Sequence, residues 1–301
     1  MTINDVGADE ADQAAGLRNL ISMRRSERPL RVIATTSGKG GVGKTTVACN
    51  LAALAARQGH KVLMVDADLG LANVEIVLGV KPRYTLADVL EKDMAMNDVL
   101  SRGPEGIRIL SAGNGLQHLT QLTEQQKMRL IAAFDPLADA FDTMIVDTGS
   151  GIGDNVLFFA SAAQEVLLVI SAEPTSLTDA YATVKVLSQQ AGVRSFHVLV
   201  NPAANEVAAR DVFQKLTGVT RRFLSASVSY LGFVPYDEHV HRAVMAQRPL
   251  VDVFPSAPAS RALEHIFRRL FDRALPPTVD GGLKFMWQRV LRDANPPAAG
   301  L

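Results

Sequence analysis

The sequence predicts an α/β protein: a doubly wound, mostly parallel sheet flanked by helices, in a single domain. Three observations support this fold class. Short runs rich in Val, Ile and Leu alternate with longer helical patterns along most of the 301 residues. These runs show little polar alternation, which is typical of strands that are covered by helices on both faces. The alternation of strands and helices is that of successive βαβ units.

Each predicted element follows from its length and from the spacing of its apolar residues. Strands are expected where apolar residues run for five to seven positions: Arg31–Thr36, Lys61–Asp66, Ile107–Ala112, Thr143–Asp147, Glu165–Ser171, Phe196–Asn201 and Tyr230–Val234. Helices are expected where apolar residues recur every three or four positions over a longer stretch. These segments are Thr45–Arg57, Glu124–Asp139, Ser176–Gln190, Val207–Leu216 and Ser260–Ala274.

Composition and charge exclude several classes of protein. Hydrophobic residues make up 48% of the chain, and 22 Gly with 14 Pro is close to the average for globular proteins. The 31 basic and 31 acidic residues balance, so we do not expect direct DNA binding. Cys49 is the single cysteine, which excludes an intramolecular disulfide and a multi-cysteine metal site. Apolar runs are too short to span a bilayer and no secretory signal is seen, so a cytoplasmic protein is expected.

Two appendages flank the predicted core domain, residues 29–275. Residues 1–28 are polar apart from Leu17, Leu20 and Ile21, which share one face of a short helix. Residues 276–301 begin with Pro276-Pro277 and form a linker followed by a second short amphipathic stretch.

A phosphate-binding loop is predicted between the first strand and the first helix. The P-loop pattern is matched by Gly38, Lys39, Gly40, Gly41, Val42, Gly43, Lys44 and Thr45. Glycines let backbone N–H groups curl around phosphate oxygens, and the helix N-terminus adds a favourable dipole. Lys44 is expected to reach the β- and γ-phosphates, and the Thr45 hydroxyl to ligate Mg²⁺. Thr46, the next helical residue, is included in the predicted ATP site.

Three aspartates follow strands and complete the predicted site. Asp147 ends a strand, which places it at the carboxyl edge of the sheet, where ligands bind in this architecture. Asp66 and Asp68 alternate, so both point to one face if the strand continues through them. An alternative for Asp68 is that it only caps a helix starting near Asn73.

Lys39 lies directly after the first glycine of the loop. A P-loop with a lysine at this position resembles that of the deviant Walker A family, which includes MinD, ParA and the nitrogenase iron protein. The resemblance implies that Lys39 reaches across a homodimer to the nucleotide of the partner; the alternative is a solvated loop lysine. It also implies that Asp147 is the Walker B carboxylate on Mg²⁺ and that Asp66 lies near the metal. Asp68 would then orient the attacking water, so that Lys39, Lys44 and Asp68 are the catalytic residues.

The nucleotide base is expected to be adenine. A Ras-type GTPase carries Asn-Lys-x-Asp after a late strand, whereas this chain has Asn201-Pro202-Ala203-Ala204 without the aspartate. The family resemblance implies that Asn201, with Pro235 and Asp237 after a later strand, holds the adenine. A plain strand-to-helix turn explains Pro235 and Asp237 equally well. The expected cofactors are therefore ATP and Mg²⁺.

One branch of the family, FlhG (also called FleN or YlxH), is similar in three segments: residues 66–74, 147–154 and 173–181. FlhG proteins resemble MinD and regulate the number and placement of bacterial flagella. The resemblance implies partners in the GTPase FlhF, a flagellar transcription activator or a basal-body protein. The motif by which FlhG proteins stimulate FlhF is similar to residues 12–18, including Asp12, Gln13, Ala14, Leu17 and Arg18. A disordered tail is the alternative for this segment.

The C-terminal stretch has the apolar stripe of an amphipathic helix. Its members recur at i, i+3, i+4, i+7 and i+8: Leu283, Met286, Trp287, Val290 and Leu291. Spacing alone allows either a membrane surface or packing on the domain itself. Because MinD and FlhG carry a C-terminal membrane-targeting helix, the resemblance favours peripheral binding to the inner membrane in the ATP-bound state.

Other functions within and outside the family are alternatives. A MinD-type septum-site determinant is the next candidate. A ParA-type partition ATPase needs a basic surface, for which Arg221-Arg222 and Arg268-Arg269 are only local candidates. A nitrogenase-type reductase needs two cluster cysteines per chain. A metabolic kinase or ligase needs an acceptor-substrate site, and no such constellation stands out.

Overall fold

The fold is built on one eight-stranded sheet, seen in a computed structural model that describes residues 30–113, 121–137 and 139–273. Its strands are β1 (Arg31–Ser37), β2 (Val62–Ala67), β3 (Ser101–Arg102), β4 (Arg108–Leu110), β5 (Thr143–Ser150), β6 (Glu165–Ile170), β7 (Ser195–Ala203) and β8 (Ser227–Pro235). Their order across the sheet is β3-β4-β2-β5-β1-β6-β7-β8. The pairing of β3 with β4 is antiparallel, and the other neighbours are parallel. The predicted doubly wound α/β sheet is confirmed.

Helices fill the connections between the strands. They are α1 (Lys44–Arg57), α2 (Val74–Val77), α3 (Leu86–Lys92), α4 (Met96–Val99), α5 (Glu124–Phe134), α6 (Asp154–Ser161), α7 (Pro174–Gln190), α8 (Glu206–Phe223), α9 (Glu238–Met245), α10 (Leu250–Val253) and α11 (Pro258–Phe271). Short 3-10 turns lie at Pro104–Gly106 and Asp135–Leu137. None of the helices in these ranges is long and apolar enough to cross a membrane.

Successive strand residues face opposite layers of helices, which explains the apolar, non-alternating strand sequences. In β1, Ile33 packs with Leu51 of α1 and Leu263 of α11 on one face of the sheet. The preceding residue, Val32, packs with Phe134 of α5 on the other face. Both faces of the central strands are therefore buried, as the sequence pattern predicted.

The structure corrects several predicted boundaries. The helix predicted at Glu124–Asp139 ends at Phe134, because Pro136 has no N–H group to continue it. The helix predicted at Val207–Leu216 extends from Glu206 to Phe223. Strand β3 and helices α3, α4, α6, α9 and α10 were not predicted, because they are short: β3 has two residues, and each of these helices has between four and eight. Each of these differences lies outside the P-loop connection.

Both predicted appendages lie outside the described residues. This applies to the segment 1–28 with its motif at residues 12–18, and to the segment 276–301 with its apolar stripe. They remain predictions from the sequence.

Candidate functional site

The predicted P-loop connects β1 to α1 at the carboxyl edge of the sheet, and two of its glycines are required by its geometry. Gly43 has φ of 81°, a left-handed conformation, and α1 begins there without a side-chain cap. A Cβ atom at Gly38 would lie 2.3 Å from the carbonyl carbon of Asp179 in α7. The loop is therefore held against α7, and the uncapped N–H groups at the start of α1 suit an anion.

Lys44 and Asp147 form a buried ion pair at the base of this loop. The Lys44 Nζ atom lies 2.7 Å from Asp147 Oδ1, and their side chains are 8% and 1% exposed. The pair joins the first turn of α1 to β5, so it fixes the lysine beside the predicted Walker B carboxylate. The strand predicted to end at Asp147 continues to Ser150, so Asp147 lies three residues before its end.

Asp66 lies beside Asp147 because the two residues are register partners on the adjacent parallel strands β2 and β5. Its carboxylate accepts hydrogen bonds from the N–H groups of Asp68, Asn73 and Val74 at 3.1, 2.9 and 3.0 Å. Burial, reinforced by the charge of Asp147, raises the pKa of Asp66 to about 7. Asp66, and not Asp68, therefore caps the helix that starts after Asn73.

A magnesium ion fits the oxygen donors at this point. Within the described ranges, Asp147 Oδ2 is buried and has no hydrogen-bond partner. Burial raises the pKa of Asp147 against the lowering effects of the Lys44 charge and the nearby Thr45 hydroxyl. Hydroxyl and carboxylate oxygens are the donors that Mg²⁺ prefers, with phosphate oxygens commonly completing its shell. No group of three or more acidic, His or Cys side chains that could hold a metal occurs in the described part of the chain.

Asp68 lies just beyond the end of β2, so the condition for its sharing a strand face with Asp66 is not met. Its carboxylate is partly exposed, and one oxygen accepts the Leu71 N–H at 3.3 Å. A Cβ atom at Gly149 would lie 3.8 Å from Asp68 Oδ1, which places the carboxylate beside the end of β5. Asp68 is thus close to the P-loop strands but is not tied down as Asp66 is.

Lys39 lies at the exposed rim of the loop and contacts the N-terminal end of α7. Its Nζ atom forms an ion pair with Glu173 and lies 3.2 Å from the Thr175 hydroxyl oxygen. The lysine and Glu173 side chains are 39% and 62% exposed, so water weakens their attraction. Glu173 was not among the predicted site residues, although it begins the family-similar segment 173–181 and follows β6 at the carboxyl edge of the sheet, where Asp147 was predicted.

The three predicted adenine residues have different surroundings. Asn201 Nδ2 donates to the Val42 carbonyl at 2.7 Å, so the end of β7 supports the P-loop. Pro235 is the last residue of β8. The Asp237 carboxylate, 5% exposed, accepts the N–H groups of His239 and Ala259 at 3.0 Å each. The side chain of Asp237 therefore caps α9 in the turn after β8 and joins it to α11, and the adenine contact stays a prediction.

Comparison with known proteins agrees with this geometry. The family model described as "ParA: NUBPL iron-transfer P-loop NTPase" matches residues 29–271. The antiactivator FleN of Pseudomonas aeruginosa is 46% identical over 275 residues, covering 91% of this chain and 97% of FleN. The flagellum site-determining protein YlxH of Helicobacter pylori is 26% identical over 289 residues, covering 95% and 98% of the two chains.

A solved structure shows the same fold. MinD of Pyrococcus horikoshii, complexed with Mg-ADP, superposes with a TM-score of 0.65 at 27% identity, covering 80% of this chain and 96% of MinD. Residues 29–271, which the ParA family model matches, contain the P-loop, the Lys44–Asp147 pair and the strands that carry Asp66 and Asn201. The chain belongs to the ParA family of P-loop NTPases, in the FlhG/FleN branch of its MinD-like ATPases.

Proposed function

We propose that this ATPase is a dimerising switch that regulates the number and placement of flagella. The observation that carries the proposal is the 46% identity to the antiactivator FleN, which extends over 91% of the chain. The similarity to a flagellum site-determining protein over 95% of the chain supports the same role. The fold supports the proposal, since the P-loop and the segments at residues 66–74 and 147–154 lie at the carboxyl edge of the sheet.

The nucleotide site uses residues that are already close together. ATP binds with its phosphates against the loop Gly38–Thr46, where Lys44 neutralises phosphate charge. Thr45 and Asp147 would hold Mg²⁺, with Asp66 nearby, and the ion would supply neutralisation of phosphate charge. Asn201 holds the loop through its hydrogen bond to the Val42 carbonyl. It also contributes to the adenine pocket, together with the backbone at Pro235 and Asp237.

Dimerisation depends on Lys39. Its ion pair with Glu173 is exposed and therefore weak, so an ATP phosphate of a second chain can compete for the ammonium group. Two chains that face each other exchange their Lys39 side chains, and each lysine stabilises the negative charge that spreads over the γ-phosphate during hydrolysis.

Hydrolysis returns the switch to its open state. Asp68 is partly exposed and accepts a single backbone hydrogen bond, which leaves carboxylate oxygen to orient a water molecule for attack on the γ-phosphate. Loss of the γ-phosphate removes the contacts that order the segments at residues 66–74 and 147–154, and the dimer opens. ATP acts here as a timer for assembly.

The N-terminal segment is proposed to act on the GTPase FlhF through Asp12, Gln13, Ala14, Leu17 and Arg18. No P-loop or switch residue lies in this segment, so its action is separable from ATP hydrolysis. A synthetic peptide spanning residues 10–25 should raise the GTP turnover of FlhF, and the same peptide with Gln13→Ala should not. An inert wild-type peptide would contradict this role.

The C-terminal stretch is proposed to bind the cytoplasmic face of the inner membrane through the stripe that contains Trp287. One short amphipathic helix binds weakly, and two helices on an ATP-closed dimer gain from their effective concentration. Liposomes with anionic lipid should therefore sediment the protein with ATP but not with ADP. Equal binding in both states, or unchanged binding by Trp287→Glu, would contradict the coupling.

The flagellar role is tested by finding what the ATP-locked protein binds. Asp68→Ala should retain ATP and stay dimeric, so a pull-down with this variant should recover FlhF, a flagellar transcription activator or a basal-body protein. Lys44→Ala, which lacks the phosphate contact, is the matched control and should lose these partners. Recovery of septum-site proteins instead would favour a MinD-type function, for which the likeness to MinD structures is the supporting observation.

A further inference from the structure

A basic cleft lies at the β3 edge of the sheet, away from the nucleotide site. It has a volume of about 450 Å³ and lies between the loop that follows α2 and the corner between α4 and β3. Three cations line it: Lys81, Arg83 and Arg102. Asp98 is the one carboxylate among the lining residues, so the cleft carries excess positive charge on a chain whose net charge is zero.

The three cations have no acidic partner in the described part of the chain. All three side chains are exposed, and neither Lys81 nor Arg102 makes a side-chain hydrogen bond or ion pair there. Arg83 stacks over the ring of Tyr84, with its guanidinium carbon 5.2 Å from the ring centre. Elsewhere on the surface, cations such as Lys92 and Lys215 are paired with acidic neighbours four residues away. An acidic group from a segment outside the described residues can therefore bind in the cleft without displacing an acidic partner from Lys81, Arg83 or Arg102.

The walls of the cleft are fixed to the rest of the domain. A Cβ atom at Gly79 would lie 2.7 Å from the Gln247 carbonyl oxygen, so the loop that carries Lys81 is held close to the turn after α9. On the other wall, Arg108 donates to the Leu100 carbonyl at 3.0 Å. Because these walls are already ordered, they lose little conformational entropy when an extended segment binds between them.

We propose that the acidic N-terminal segment of the same chain, residues 5–12, docks on this basic cleft. The segment contains four carboxylates and no Lys or Arg: Asp5, Asp9, Glu10 and Asp12. An extended chain from Asp12 to Leu30 spans up to roughly 60 Å, and β1 and β3 are separated by four strand spacings, or roughly 20 Å. Charge and length thus both suit this occupant. Docking would also hold the neighbouring motif at residues 12–18 against the domain. The importance of that motif rests on the proposed function, but the docking of residues 5–12 does not.

Zero-length cross-linking of the full-length protein tests the proposal. A carbodiimide joins a lysine to a carboxylate only when they touch, so Lys81 should cross-link to one of the four N-terminal carboxylates, as read by mass spectrometry. Lys61 is the matched control: it is exposed, and its backbone and that of Arg31 both hydrogen-bond Asp142, which places it near the start of β1. A tether that moved freely would react with Lys61 at least as often as with Lys81.

Salt and charge reversal supply the decisive comparisons. The Lys81 cross-link should fall about tenfold in Arg83→Glu/Arg102→Glu or at high salt, because the attraction is between exposed charges. The same charge change on α8, Arg221→Glu/Arg222→Glu, should leave it unchanged. It should also survive about tenfold dilution in the monomer band, as a contact within one chain must. The proposal would be overturned if the Lys81 cross-link were absent, if it persisted in Arg83→Glu/Arg102→Glu, or if it formed only in dimers. It would also be overturned if the cleft bound phosphatidylserine vesicles and no Lys81 cross-link formed.

Discussion

Removing Arg31 should destabilise the domain strongly, because its partner Glu165 would remain buried without the guanidinium charge, with the His197 ring still 3.3 Å away. The side chains of Arg31 and Glu165 are 7% and 5% exposed, and two hydrogen bonds of 2.6 and 3.1 Å join them. The guanidinium group also donates to the carbonyls of Leu270 and Phe271 at the end of α11. Breaking a buried pair by removing one partner costs roughly 3–5 kcal/mol, so Arg31→Met should lower the free energy of unfolding by about that amount.

Urea unfolding followed by circular dichroism measures this effect. For a domain of this size, a loss of that magnitude corresponds to a midpoint shift of about 1–2 M urea. Lys215→Met is the matched control: its pair with Asp211 is 60% and 57% exposed, so its loss should cost less than about 1 kcal/mol. Arg31→Met/Glu165→Gln should recover much of the stability, because it removes the uncompensated charge.

The same pair gives a pH dependence of known sign. Burial raises the pKa of Glu165, but hydrogen bonds from His197 and Arg31 outweigh it and leave the pKa below its usual value. A lowered pKa contributes stability above the unfolded value of about 4.3, and that contribution is lost as the pH falls through the folded value. The difference between the wild type and Arg31→Met should therefore shrink in acid. A cost below about 1 kcal/mol at neutral pH, or a double variant as unstable as the single one, would refute this reasoning.

Three further predictions concern the site and its supports. Gly38→Ala should weaken ATP binding about tenfold or more in calorimetry, because its Cβ meets the backbone of α7. At the control position Gly218, in α8, a Cβ has no atom within 4 Å, so Ala there should leave ATP binding unchanged. The raised pKa of Asp66, about 7, makes the folded state hold a proton that the unfolded state releases near 4. Stability in metal-free buffer should thus fall from pH 4 to 7 more steeply than in Asp66→Asn, and parallel urea midpoints would contradict this. Asp237→Ala should cost about 1–2 kcal/mol through loss of the α9 cap, as a shift in the thermal midpoint, and an unchanged midpoint would deny the carboxylate its structural role.

The sequence predicted those features that local pattern encodes. The seven apolar strands, the P-loop and the position of Asp147 depend on short-range periodicity and on the rule that ligands meet the carboxyl ends of parallel strands. The fold class and the place of the nucleotide site followed from these features alone.

Contacts between distant segments could not be predicted in the same way. Glu173 meets Lys39 across 134 residues, and Asp237 accepts the N–H of Ala259 from another helix. Asp66 caps α2 instead of Asp68. Strand β2 ends one residue before Asp68, and the chain then turns back over the strand end, so the N–H groups of Asn73 and Val74 meet the Asp66 carboxylate. Such arrangements depend on tertiary packing, which leaves no periodic signal in the sequence.

Light scattering with Mg²⁺ and nucleotide tests whether Lys39 acts across the dimer. The wild-type protein should have twice the mass of one chain with ATP and the mass of one chain with ADP, and Asp68→Ala should accumulate as the dimer. Lys39→Ala should remain a monomer with ATP while it retains nucleotide affinity, since its charge serves the site of the partner. The exposed control Lys215→Ala should behave as the wild type. A Lys39→Ala protein that dimerises with ATP as fully as the wild type would show that Lys39 does not act on the nucleotide of the partner.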